Sequence, residues 1–149
     1  MATAKDRELV MTRIFDAPRE LVWEVCTQAR HMVHWWGPSK YTTIECELHV
    51  RPGGSWRIEQ KGSDGTIYPF HGVFDEVIPP ERFTHSFIFQ NFPALKVTVI
   101  LEDLGGGKTK LTGITRFNSA EERNAIAPDM ERGANESYDR LAALLETLR

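Results

Sequence analysis

Cysteine is scarce: Cys26 and Cys46 are the two in 149 residues. They share no metal or redox motif, so each is read as a small buried hydrophobe, Cys26 in a helix and Cys46 in a strand. Long apolar runs are missing, and nothing approaches the ~20 residues that a bilayer crossing needs. The opening Met1-Ala2-Thr3-Ala4-Lys5-Asp6-Arg7-Glu8 lacks the apolar run of a signal peptide, and a soluble cytoplasmic protein is expected. There is no Lys/Arg-rich run, and 18 Lys+Arg against 21 Asp+Glu leave a net charge of -3. Electrostatic docking to nucleic acid or to acidic membranes is therefore not expected. No repeat, linker or low-complexity tract divides the chain, and residues 1–149 are read as a single domain.

The motifs of common catalytic chemistry are missing as well. No Gly-x-Ser-x-Gly elbow occurs. None of the serines is coupled by pattern to a histidine, as nucleophilic catalysis would require. His31 and His34 share one helical face, but no His-Glu-x-x-His pattern accompanies them. Gly107-Lys108-Thr109 mimics the end of a phosphate loop. The glycine required earlier in that loop is replaced by Glu102, and a strand rather than a helix follows. The sequon Asn135-Glu136-Ser137 lies mid-helix and is read as unused. No catalytic residue, metal ion or cofactor is expected.

What is present is alternation. Leu9, Met11, Arg13 and Phe15 share one side of a first strand, and Pro18 suits the first turn of a helix bearing Leu21, Val22, Val25 and Cys26. A second short helix runs from Thr27 toward His34, stopped by Gly37-Pro38. Period-two strands follow. Thr42, Ile44, Cys46, Leu48 and Val50 share one face, and Trp56, Ile58 and Gln60 share the next. A strand from Thr66 to Ile78 contains Gly72, a mark of a bulge or a close backbone approach. Phe83, His85, Phe87 and Phe89 form another face, then Val97, Val99 and Leu101, and the last strand spans Lys108 to Phe117. Ser119 and Glu122 make a capping box. Pro128 predicts a break near Ala127-Pro128, with a long helix from Asp129 to Leu148 striped by Met130, Ala134, Tyr138, Leu141, Leu145 and Leu148. The reading is α+β: one strand, two short helices, six strands and a long helix, with hairpin links that imply an antiparallel sheet.

In order and punctuation the chain resembles the activator of heat shock protein 90 ATPase homologue-like family. That family belongs to the START/Bet v-like superfamily, also called SRPBCC or polyketide-cyclase-like. The landmarks are Phe15-Asp16-Ala17-Pro18 with Val22-Trp23, then Trp35-Trp36-Gly37-Pro38 and Arg51-Pro52-Gly53-Gly54-Ser55-Trp56-Arg57. The segment from Gly72 to Pro80, Gly107-Lys108-Thr109-Lys110-Leu111-Thr112 and Asp139-Arg140-Leu141 complete the set. The resemblance implies a helix-grip fold, a curved seven-stranded antiparallel sheet around the long C-terminal helix with a cavity between them. Two short helices lie between strands one and two. Family members often carry tryptophan after the helix glycine, where this chain has Gly133-Ala134, a change that opens space.

The resemblance and the 8 Phe, 4 Trp and 3 Tyr point to a lined pocket for an apolar or aromatic small molecule. The expected wall is Trp36, Trp56, Phe74, His85, Phe87, Val99, Met130, Ala134 and Tyr138, with Trp35 and the Trp36-Gly37-Pro38 corner as a gate. His85 falls in phase with an aromatic face and must find a partner, for which Tyr138 is the candidate. Two further readings come from the family: co-chaperone-like stimulation of a heat shock protein 90 ATPase, and a cyclase, dehydratase or hydrolase using His85. An exposed edge strand would allow a homodimer.

Overall fold

The alternating stretches become strands because side chains at every second position meet a common core while the others face water. A computed structural model describes residues 5–148. After a 3₁₀ turn (Lys5–Arg7) come β1 (Glu8–Phe15), α1 (Arg19–Thr27) and α2 (Ala29–Met32). Six strands follow: β2 (Thr42–Leu48), β3 (Ser55–Lys61), β4 (Ile67–Ile78), β5 (Arg82–Phe89), β6 (Leu95–Gly105) and β7 (Lys108–Arg116). The last element is α3 (Ala120–Leu148).

The strands form one antiparallel sheet ordered β1-β7-β6-β5-β4-β3-β2, so β1 and β2 are its edges. It curves around α3 in the helix-grip arrangement. Phe15, Val22, Val25, Ile58, Leu101, Leu111 and Leu141 are among the most deeply buried side chains, drawn from the sheet and all but one of the helices. Arg13 of β1 ties the helix to the sheet edge, donating to Asp139 at 2.9 Å and lying 5.8 Å from the Tyr138 ring centroid.

Two local expectations are corrected. Ile44 does not share the inner face of β2: it is 48% exposed, because a bulge between Thr43 and Glu45 shifts the register against β3. The extra residue turns Thr43 inward, where its hydroxyl accepts from Gln60 Nε2 at 3.2 Å. The predicted break at Ala127-Pro128 is also absent, since α3 is one helix with Pro128 inside it. Proline withdraws the N–H that the Asn124 carbonyl would accept. Both residues are exposed, so that carbonyl faces solvent, while packing of Ala127, Leu141 and Leu145 holds the helix on either side. The start is capped as the sequence predicts, Glu122 N donating to Ser119 Oγ at 3.0 Å. The carboxylate of Glu122 reaches back to the N–H of Asn118 at 3.0 Å.

Candidate functional site

A cavity of about 300 Å³ lies between the sheet and α3. All nine predicted wall residues border it: Trp36, Trp56, Phe74, His85, Phe87, Val99, Met130, Ala134 and Tyr138. They reach it from five elements and one loop. Trp56 comes from β3, Phe74 from β4, His85 and Phe87 from β5, and Val99 from β6, each at an inward step of its strand. Met130, Ala134 and Tyr138 follow one another at four-residue steps on α3. The Gly133-Ala134 pair sits on the wall, so the space opened by a small residue there belongs to the cavity.

The geometry of the β-side wall depends on one close approach. A Cβ placed on Gly72 would lie 2.0 Å from the carbonyl oxygen of Ser86 and 2.5 Å from Trp56 Nε1. Lacking that atom, β4 lets the Ser86 carbonyl tuck in, and there it accepts Trp56 Nε1–H at 3.0 Å. His85 Nδ1 lies 2.9 Å from the same oxygen. A carbonyl can only accept, so Nδ1 carries the proton and Nε2 the lone pair. One carbonyl thus orients two wall residues. The sequence-based alternatives for Gly72 resolve toward the close approach, and the bulge of β4 against β5 falls later, between Phe74 and Val77.

The pairing of His85 with Tyr138 does not form. His85 turns to Ser86, and its ring packs against Trp56, Phe74 and Phe83 with centroids at 5.1, 5.6 and 5.9 Å. Tyr138 instead packs edge-on against Phe15 at 6.3 Å, with its hydroxyl oxygen 2.8 Å from where a Cβ of Gly113 would stand. Burial pushes the His85 pKa down from 6.5 to about 4, against the opposing pull of the Ser86 carbonyl. Burial pushes Tyr138 up to about 12 and the Cys26 thiol, also on the wall, up to about 12. All three groups are therefore uncharged at neutral pH, and Cys26 is a soft apolar contact rather than a nucleophile.

The depressed His85 pKa has a consequence for stability. Between pH 4 and 6.5 the unfolded chain holds this proton and the folded one does not, so stability falls as pH drops through that window. At about 1.36 kcal/mol per pH unit the full loss from this group is about 3 kcal/mol. Urea unfolding of the wild type and of His85→Phe at pH 7 and pH 4 checks this. The variant is expected to lose less stability than the wild type by about that amount.

The corner expected as a gate is tied by hydrogen bonds to both β3 and α3. Gly37 has φ +87° and a Cβ there would lie 2.2 Å from Gln60 Nε2, so glycine lets the loop rest on β3. Gln60 Nε2 donates to the Trp36 carbonyl at 2.9 Å. From α3, Ser137 Oγ accepts the N–H of Gly37 at 2.9 Å, and Arg140 donates to the carbonyls of Gly37 and His34 at 2.8 and 3.0 Å. Glu136 accepts from the N–H of Ser39 at 2.7 Å. Trp35 is buried and donates Nε1–H to the Val25 carbonyl at 3.0 Å. Sequence reasoning missed Ser137, Gln60 and Arg140. Gln60 was placed on one face with Trp56 and Ile58 but given no role, and Ser137 could have been found as a polar residue in phase with Leu141 and Leu145. Phe70, Val97, Thr115 and Met32 also border the cavity and were not anticipated as its wall.

Among the described residues no three of His, Cys, Asp or Glu gather where they could hold a metal ion. His31 Nε2 lies 4.0 Å from Glu24 Oε1. No described helix is long and apolar enough to cross a membrane.

Comparison with known proteins agrees with the geometry. No curated protein matches the chain in sequence. Among solved structures, a protein of Rhodobacter sphaeroides is 26% identical with a TM-score of 0.91, covering 99% of this chain and 98% of that one. A solution structure from Arthrobacter aurescens is 25% identical with a TM-score of 0.87, covering 99% of this chain and 90% of that one. A protein of Nitrosomonas europaea, 20% identical, has a TM-score of 0.88 over 100% of both chains and so shares the fold. The model of the family described as Activator of Hsp90 ATPase homolog 1-like protein matches residues 16–146, which take in six of the seven strands and most of α3, and the chain belongs to that family.

Proposed function

We propose that this chain binds a small, uncharged apolar or aromatic molecule in the cavity between the sheet and α3, without transforming it, and that residues 1–149 act as one domain. The observation that carries the reading is the wall itself: about 300 Å³ bordered by aromatic and aliphatic side chains, with no Asp, Glu, Lys or Arg among them. A charged ligand would lose its hydration there and gain no counter-charge. An apolar ligand burying about 200 Å² would gain about 5 kcal/mol before ordering costs. No carboxylate borders the cavity, burial holds the Cys26 thiol on its wall protonated, and Ser137 Oγ accepts from the Gly37 N–H, features that favour holding over chemistry. The place of action we propose is the cytoplasm.

The test is a thermal-shift screen of the purified protein with lipids and aromatic compounds, paired with native mass spectrometry. A ligand at 100 times its Kd stabilises by about 2.7 kcal/mol, which raises Tm by about 5–10 °C in a chain of this size. A screen in which nothing shifts Tm and no adduct is retained overturns the reading. Stimulation of a chaperone ATPase, by contrast, is suggested by the family's description alone. An ATPase assay with the cognate chaperone would reveal it directly.

A further inference from the structure

We propose that His85 makes the cavity selective for ligands that carry an O–H or N–H donor, which its Nε2 accepts. This rests on the binding reading above and narrows it to a chemical class. The Ser86 carbonyl, anchored over Gly72, holds the Nδ1–H. In an imidazole the two nitrogens are separated by Cε1, and Nε2 lies at the end of the ring farther from the backbone. The ring's own neighbours are Trp56, Phe74 and Phe83. Of these three rings Trp56 alone carries an N–H, and it is already spent on the Ser86 carbonyl. The lone pair at Nε2 is thus left with no protein donor among the described residues, on a ring that borders the cavity.

Among the other polar groups on the wall only the Gln60 amide oxygen shares this direction, and the His85→Phe comparison below separates the two. The hydroxyls of Tyr138 and Thr115 can donate or accept alike. Ser137 Oγ is engaged with the Gly37 N–H, and the Gln60 amide N–H donors go to Trp36 and Thr43. The neutral state that burial enforces on His85 keeps Nε2 an acceptor at physiological pH. A ligand without a donor would leave this nitrogen desolvated and unpaired, and one with a donor would satisfy it. The class that fits is a flat or compact apolar molecule with one hydroxyl or N–H.

The experiment compares 2-naphthol with 2-methoxynaphthalene, two uncharged probes of like shape that differ in the donor. Binding is followed by quenching of tryptophan fluorescence, since Trp36 and Trp56 border the cavity. The naphthol is expected to bind roughly tenfold tighter, the discrimination of one satisfied hydrogen bond. In His85→Phe the gap should close through weaker naphthol binding, with the ether unaffected. Should that variant fail to fold, ¹⁵N spectra of the wild-type imidazole give the same answer: an Nδ1–H tautomer, with the Nε2 resonance moving when naphthol is added and still when the ether is added. Equal affinities, or a gap that survives in His85→Phe, overturn the selectivity and leave the cavity reading intact. If neither probe binds, and the wider screen also shifts nothing, both readings fall together.

Discussion

Gly72→Ala is expected to cost about 3–5 kcal/mol of stability, although it adds only one methyl group. On strand preference alone alanine would gain about 0.5–1 kcal/mol over glycine. The clash wins because its partner is backbone: the added carbon would stand 2.0 Å from the Ser86 oxygen, and no rotamer change can relieve that. Relief requires β4 and β5 to separate, which withdraws the carbonyl that holds Trp56 and His85. Urea unfolding should show the loss, and tryptophan emission of the folded variant should change because Trp56 gives up its hydrogen bond. A stability change within 0.5 kcal/mol would mean that the two strands have room to spare, and the anchoring role of Ser86 would fall.

Ala134→Trp is expected to abolish ligand binding, by roughly 100-fold or more, while leaving the fold in place. Ala134 borders the cavity between Met130 and Tyr138 on α3, so an indole there projects into the space a ligand would occupy. Filling a cavity with apolar carbon commonly stabilises by about 0.5–2 kcal/mol, and overpacking costs about 1–3 kcal/mol. The cavity of about 300 Å³ favours the first outcome. The expected signature is a Tm equal to or above that of the wild type with no ligand-induced shift. Undiminished binding in this variant would place the ligand outside the cavity.

Several features were legible because they depend on local spacing. The inward faces of β3 and β5 followed from period two, which put Trp56, Ile58 and Gln60 together and brought His85 into phase with Phe83. The stripe on α3 put Met130, Ala134 and Tyr138 on the cavity side, although Leu148 at its end proved 41% exposed. Ile44 was misread because Thr43 and Ile44 both suit strands, and nothing in either marks the extra residue of a bulge. Pro128 was misread because its cost is set by what surrounds the orphaned carbonyl, and on the exposed side of a well-packed helix that cost is tolerated. The partner of His85 was misassigned because it is the main-chain oxygen of the next residue, Ser86, and the order of side chains carries no mark of a main-chain acceptor.

The amino-acid sequence by itself determined the order of strands and helices, the inward faces of β3 and β5 and nine of the side chains that meet beneath α3. Those are consequences of backbone geometry repeated residue by residue, and they survive whatever the rest of the chain does. The unfilled space and the hydrogen-bonded corner at Gly37 were decided by the tertiary structure alone. Each is a relation between groups far apart in the chain: a void is what remains after packing, and a hydrogen bond such as that from Gly37 to Ser137 spans 100 positions.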